Sequence, residues 1–220
     1  MRIASLGRRD YREVEAAMRR FTHARSPDTP DEIWLVEHDP VFTLGVAGRE
    51  EHVLDAGAIP VLRTDRGGQV TYHGPGQVVA YPLIDLRRLR IYVKEYVYRL
   101  EQAVLDVLAT HGLTGHRVPG APGIFVRIDD PAGHARHAID GGDRFAGLAK
   151  VAALGVKVSN HRTYHGVALN ARMDLQPFAR INPCGYPGLA SIDLATLGVD
   201  AQWGAVAERL GSRLATLLSP

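Results

Sequence analysis

Between residues 11 and 21 apolar side chains fall at Tyr11, Val14, Ala17, Met18 and Phe21, the three-and-four spacing of a helix with one buried face. Ser26-Pro27 marks its end. The same periodicity returns at 93–108, where Val93, Tyr96, Val97, Leu100, Val104, Val107 and Leu108 share a face and His111-Gly112 supplies a stop, and again at 203–218. Elsewhere the apolar residues come in short runs bounded by turn formers, at 32–37, 41–44, 61–63, 78–83, 123–128, 145–151, 155–158 and 164–169. The later runs lie too close together for helical crossovers, so they are expected to pair mostly antiparallel. This pattern predicts an α+β fold in which a mixed, mostly antiparallel sheet is flanked by helices, with 41–44 and 61–63 continuing the sheet begun at 32–37. A single domain over residues 1–220 is expected. Residues 129–144, polar and glycine-rich, read as a mobile surface loop.

Composition narrows the classes. With 45% hydrophobic and 23% charged residues the chain has enough apolar content for a sizeable core. A net charge of +2 is too small to argue for nucleic-acid binding, which shows as a basic stripe or a strongly basic domain. No uninterrupted apolar run is long enough to span a membrane, and residues 1–12 fit neither a signal nor a transit peptide, so a cytoplasmic location is expected. One cysteine rules out an intramolecular disulfide and a cysteine-based metal site. His134 and His137 have a suggestive spacing, but helix-breaking neighbours argue against a metal site.

Three segments carry candidate chemistry. Arg66-Gly67-Gly68-Gln69-Val70-Thr71-Tyr72-His73-Gly74-Pro75-Gly76-Gln77 is rich in glycine and in hydrogen-bonding side chains. It lacks the order of a phosphate-binding P-loop and reads either as a turn-rich hairpin or as backbone that closely approaches a ligand. The lone cysteine sits in a turn, Asn182-Pro183-Cys184-Gly185, a placement that favours exposure, and it is either an inert thiol or a nucleophile. A nucleophile would need a cation or base beside it. Lys150, in a largely apolar stretch, is the leading candidate, with His73 and His165 as others. An inward lysine would require a partner, whereas an edge-strand lysine pointing to solvent would need none.

Taken together and in order, the segment Arg66 to Gln77, Tyr81-Pro82-Leu83-Ile84-Asp85, Lys150-Val151-Ala152-Ala153-Leu154-Gly155, His165-Gly166-Val167-Ala168-Leu169-Asn170 and Pro183-Cys184-Gly185 resemble the octanoyl-carrier-protein:protein N-octanoyltransferases, also called lipoate-protein ligase B. The resemblance extends over most of the chain. It implies a fold similar to the catalytic domain of biotin and lipoate ligases, with the acyl chain in a tunnel. It also implies that Cys184 takes octanoyl from the phosphopantetheine thioester of acyl carrier protein, that Lys150 favours the thiolate, and that a lysine of a lipoyl domain or glycine-cleavage H protein is the acceptor. Substrate contacts carry over to Arg66, Gly67, Gly68, Gln69, Val70, Thr71, Tyr72, His73, Ala153, Leu154, Gly155, Gly166, Val167 and Ala168, with His165 in support. Neither ATP nor a metal is expected, because thioester exchange roughly conserves bond energy and the donor brings its own phosphopantetheine. Amides near Leu154-Gly155 and Gly166-Val167 are candidates for holding an oxyanion, and Arg87, Arg88, Arg90 and Lys94 for meeting an acidic carrier protein. The rival readings are an ATP-dependent lipoate or biotin ligase on the same scaffold and a non-catalytic binder of carrier protein or lipoyl domain.

Overall fold

Asp10 starts the first helix, its carboxylate accepting the amides of Arg12 and Glu13 at 2.8 and 3.2 Å. In the computed structural model, which describes residues 1–134 and 143–220, that helix is α1 (Tyr11–Ala24), preceded by β1 (Arg2–Arg9). Then follow β2 (Glu32–His38), β3 (Val41–Leu44), β4 (Val61–Arg63), β5 (Val70–His73), β6 (Gln77–Leu83), α2 (Leu86–Leu89) and α3 (Val93–Ala109). The remaining elements are β7 (Gly115–Val118), β8 (Ala121–Arg127), β9 (Leu148–Ser159), β10 (Arg162–Asn170), β11 (Ala190–Ser191) and α4 (Trp203–Leu217). Residues 135–142, which include His137 and the middle of the segment expected to be a mobile loop, lie outside the described residues.

The main sheet has the order β1-β2-β6-β10-β9-β8-β7, with β11 added beside β9. β1 joins β2 and β11 joins β9 in parallel; the other neighbours are antiparallel. Strand alternation divides the core. On one face Val78, Ala80, Val167 and Leu169 meet α3 and α4 through Leu100, Val104, Val107, Leu210 and Leu214. On the other face Val79, Tyr81 and Ala168 meet Val14 and Met18 of α1. Because β6 is covered on both sides, every residue from Gln77 to Leu83 is buried, which is why it reads as an unbroken apolar run rather than an alternating one. The expected α+β class and mostly antiparallel sheet are therefore found.

Two expectations on sheet membership change. Residues 41–44 and 61–63 do not extend the main sheet; with β5 they form a second sheet of order β4-β3-β5. The Asp39-Pro40 step redirects the chain, and Val41 then pairs with His73, drawing in the glycine-rich segment. Residues 145–151 and 155–158, read as separate strands, are joined differently: 145–147 form a turn, and 148–151 and 155–158 belong to one strand, β9, whose later part pairs with β10 from Leu169↔Ala152 to Arg162↔Ser159. Among the described residues no helix is long and apolar enough to cross a membrane.

Candidate active site

Cys184 lies in a one-turn helix, Pro183–Gly185, and takes a left-handed backbone at φ 57°, with Gly185 following at φ 76°. The turn is tethered at both ends. Asn182 N donates to the His52 carbonyl at 2.8 Å, and the Tyr186 ring packs edge-on against Phe145 with centroids 4.8 Å apart. Lys150 approaches from the sheet. It sits on β9 between β8 and β11, opposite Ser191 on the latter, and its side chain is buried. Its Nζ donates to Cys184 Sγ at 2.7 Å and to the Pro122 carbonyl at 2.9 Å, and lies 5.3 Å from the centre of the Phe125 ring. The inward reading of this lysine is thus the one the fold adopts, and its cost of burial is offset by these contacts.

The pair borders a cavity of about 160 Å³. Of the positions singled out in the sequence, Arg66, Gly68, Gln69, Val70, Thr71, His73, Lys150, Ala153, Leu154, Gly155, His165, Gly166, Val167, Ala168 and Cys184 line it. Gly67 and Tyr72 do not. Gly67 is bonded to β9 through its amide, 2.9 Å from the Val156 carbonyl, and Tyr72 alternates away into the small-sheet core against Phe42 and Phe178. Tyr11, Tyr81 and Asn170 also line the cavity, though none is among the substrate contacts carried over above. Tyr81 and Asn170 fall inside the motif segments quoted above, which is the signal that points to them; Tyr11 reads only as a helix-face residue.

Local sequence explains how the wall is built. Arg66 is buried, and its guanidinium donates to Thr43 Oγ1 (2.8 and 3.1 Å), to the Thr43 carbonyl (2.6 Å) and to the carbonyls of Gly67 (2.9 Å) and Gln69 (2.8 Å). One side chain thereby ties the glycine-rich loop to β3. Gly155 lets that loop cross β9 closely, since a Cβ there would lie 2.6 Å from the Gly67 carbonyl oxygen. Leu154, Gly155, Gly166 and Val167, whose amides are the oxyanion candidates, all line the cavity and face one another as Gly166↔Gly155 and Val167↔Leu154 in the β9–β10 ladder.

Charge and proton positions around the cavity follow from burial. His73 is pushed down to about 3, chiefly by burial, while its Nδ1 pairs with Gln77 Oε1 at 2.7 Å. His38, bonded to Tyr81 Oη and the Arg9 carbonyl, is pushed down to about 4 for the same reason. Both are neutral near pH 7. His165 is also lowered, by burial opposed by Asp65, whose Oδ1 lies 3.0 Å from Nε2. Burial would raise Asp65, but hydrogen bonds from His165 and Tyr164 outweigh it and hold the carboxyl below the usual carboxylate range. Asp65 is then an acceptor, so Nε2 of His165 carries its proton; Nδ1 has no hydrogen-bond partner among the described residues. Glu15, Asp65 and His165 bring ligand-type atoms within 4.8 Å of one another. Arg19 bonds two of them, Glu15 at 3.0 Å and Asp65 at 3.1 Å.

The basic residues considered for carrier docking are partly committed elsewhere. Arg87 bonds Asp85 through two nitrogens at 3.0 and 2.6 Å, and Arg88 reaches Asp31 at 3.1 Å and the carbonyls of Pro27 and Thr29.

The fold is that of the lipoate and biotin protein ligase catalytic domains. Residues 10–212 match the family described as "Lipoyl protein ligase A/B catalytic domain". The chain belongs to that family, within its octanoyltransferase branch. It is 61% identical to an octanoyltransferase of Variovorax paradoxus, covering 98% of this chain and 96% of the relative. It is 60% identical to one of Methylibium petroleiphilum, covering 100% and 99%. Among solved structures, a bipartite lipoate protein ligase of Thermoplasma acidophilum shares the fold at a TM-score of 0.73 and 14% identity, over 99% of this chain and 83% of that one. A lipoate-protein ligase A bound with ATP does so at 0.71 and 16%, over 99% and 85%. The biotin protein ligase of Aquifex aeolicus is similar at 0.53 and 9%, over 99% and 69%.

Proposed function

We propose that this chain moves an octanoyl group from octanoyl-acyl carrier protein to a specific lysine of lipoyl domains through a thioester on Cys184. The observation that carries the reading is the 2.7 Å contact between Cys184 Sγ and Lys150 Nζ at the cavity. A thiolate is the nucleophilic form of cysteine, and an ammonium in contact favours it. In the first half-reaction the thiolate attacks the donor's carbonyl carbon, the new S–C bond forms, the donor's C–S bond breaks, and the phosphopantetheine sulfur leaves with the proton of the Lys150 ammonium. In the second, the acceptor amine attacks the Cys184 thioester, an amide forms, and the Cys184 thiolate is restored. The amine must shed a proton, and the neutral Lys150 amine left by the first half-reaction takes it, which restores the ammonium. The apolar cavity walls from Val70, Leu154, Val167 and Ala168 suit a medium-length acyl chain.

No ATP, metal or other resident cofactor enters this scheme, because the thioester donor is already activated. The acceptors are lipoyl domains of 2-oxoacid dehydrogenases and the glycine-cleavage H protein, and the site of action is the cytoplasm. The test is transfer to a purified lipoyl domain with ATP omitted, read as an octanoyl amide on the acceptor. Amide formed from octanoyl-carrier protein alone supports the scheme. Amide formed only with free octanoate and ATP establishes the ligase reading in its place.

A further inference from the structure

Lys150 has a second partner, and it leads away from the cavity. Nζ donates to the Pro122 carbonyl at 2.9 Å, while the N–H of the same peptide unit, on Gly123, donates to Glu101 Oε1 at 3.1 Å. One peptide therefore stands between a carboxylate on its N–H side and an ammonium on its C=O side, the arrangement in which each charge strengthens both hydrogen bonds. Glu101, on α3, is itself buried and held. Its other oxygen accepts Arg117 Nε at 3.0 Å, and Arg117 lies over the Tyr98 ring at 4.1 Å. The β8–β9 register slips between Ile124 and Phe125, the residue opposite Lys150, so the ladder is irregular beside this peptide. The approach is close. Gly123 takes φ +120°, and a Cβ there would lie 2.8 Å from Lys150 Cε.

We propose that Glu101 is a positioning residue for the acyl transfer: it fixes the Pro122-Gly123 peptide so that the Pro122 carbonyl holds the Lys150 ammonium against Cys184. The inference rests on reading Cys184 and Lys150 as the reacting pair. A lysine ammonium sits on a flexible four-carbon stem, and its position depends on the acceptors that fix it. Misplacement of a reacting group by about 1 Å is enough to cost about a hundredfold in rate.

Glu101→Gln and Glu101→Met remove the same charge and have similar length, but only glutamine keeps an oxygen to accept the Gly123 N–H. Two rates report the effect: alkylation of Cys184 by iodoacetamide near neutral pH, and octanoyl adduct formation at saturating octanoyl-carrier protein. Glu101→Gln should stay within about threefold of wild type and Glu101→Met should slow both by about tenfold or more, with the half-saturating carrier concentration unchanged. Glu101→Asp, whose carboxylate is drawn back by one methylene, should fall with Met and carries the comparison if the Met variant does not fold. In a Lys150→Ala background the substitutions should add nothing further. Equal rates in folded Gln, Met and Asp variants overturn the role of Glu101. Alkylation unmoved by Lys150→Ala instead overturns the pairing on which that role rests, so the two failures are told apart.

Discussion

At the residue scale the site depends on a few positions where backbone and side chain leave no slack. Gly123 is one. A Cβ there would lie 2.4 Å from the Ala152 carbonyl oxygen and 2.8 Å from Lys150 Cε, on a backbone with φ +120° that a side chain rarely adopts. Gly123→Ala should therefore displace Lys150 and slow adduct formation on Cys184 by about tenfold or more, measured by timed intact mass. A folded Gly123→Ala protein with wild-type kinetics would contradict the close approach. Arg66 is another such position, because lysine cannot reproduce its fork of donors to Thr43, Gly67 and Gln69. Arg66→Lys should lower stability by about 2–3 kcal/mol in denaturant unfolding. The sequence marked Arg66, Lys150 and Cys184 by type and motif, but it gave no sign of Glu101, because a glutamate in the 93–108 helix reads as one more solvated charge. Only the fold brings residue 101 to the peptide at 122–123.

At the element scale, legibility followed burial. The helices at 11–21, 93–108 and 203–218 were readable because each buries one stripe against the sheet, and they appear as Tyr11–Ala24, Val93–Ala109 and Trp203–Leu217. β1 escaped notice because it is an edge strand exposed at most positions, and β7 because Gly115–Val118 buries only its last residue. Partner choice was equally hidden: nothing local distinguishes 41–44, which pairs with β4 and β5, from 32–37, which pairs with β1 and β6. Packing of α1 supports the cavity wall at Tyr81 and Ala168 through Met18, which is fully buried. Met18→Ala should cost about 2–5 kcal/mol by the cavity it leaves, read from denaturant midpoints at unchanged slope. A loss below about 0.5 kcal/mol would mean that this face of the sheet is not packed as described.

At the scale of the whole molecule, neutral buried histidines link stability to pH. His38 and His73 titrate at about 4 and about 3 when folded, against about 6.5 in an unfolded chain. Between those values the unfolded state binds more protons, so stability falls as pH drops through the window. The melting temperature should decline from about pH 6.5 to about pH 5, above the range in which carboxylates titrate, with a loss on the order of 2 kcal/mol per histidine. His38→Gln should flatten that slope; an equal slope in the variant would contradict a neutral His38. The proposed chemistry turns on Cys184 carrying the acyl group between donor and acceptor. Its most direct test is the intact mass of the protein after mixing with octanoyl-carrier protein, for wild type and Cys184→Ser. The account predicts an octanoyl adduct on wild type that is absent from Cys184→Ser and is discharged when a lipoyl domain is added. Transfer to the lipoyl domain that proceeds equally well in Cys184→Ser, with no adduct on either protein, would contradict it.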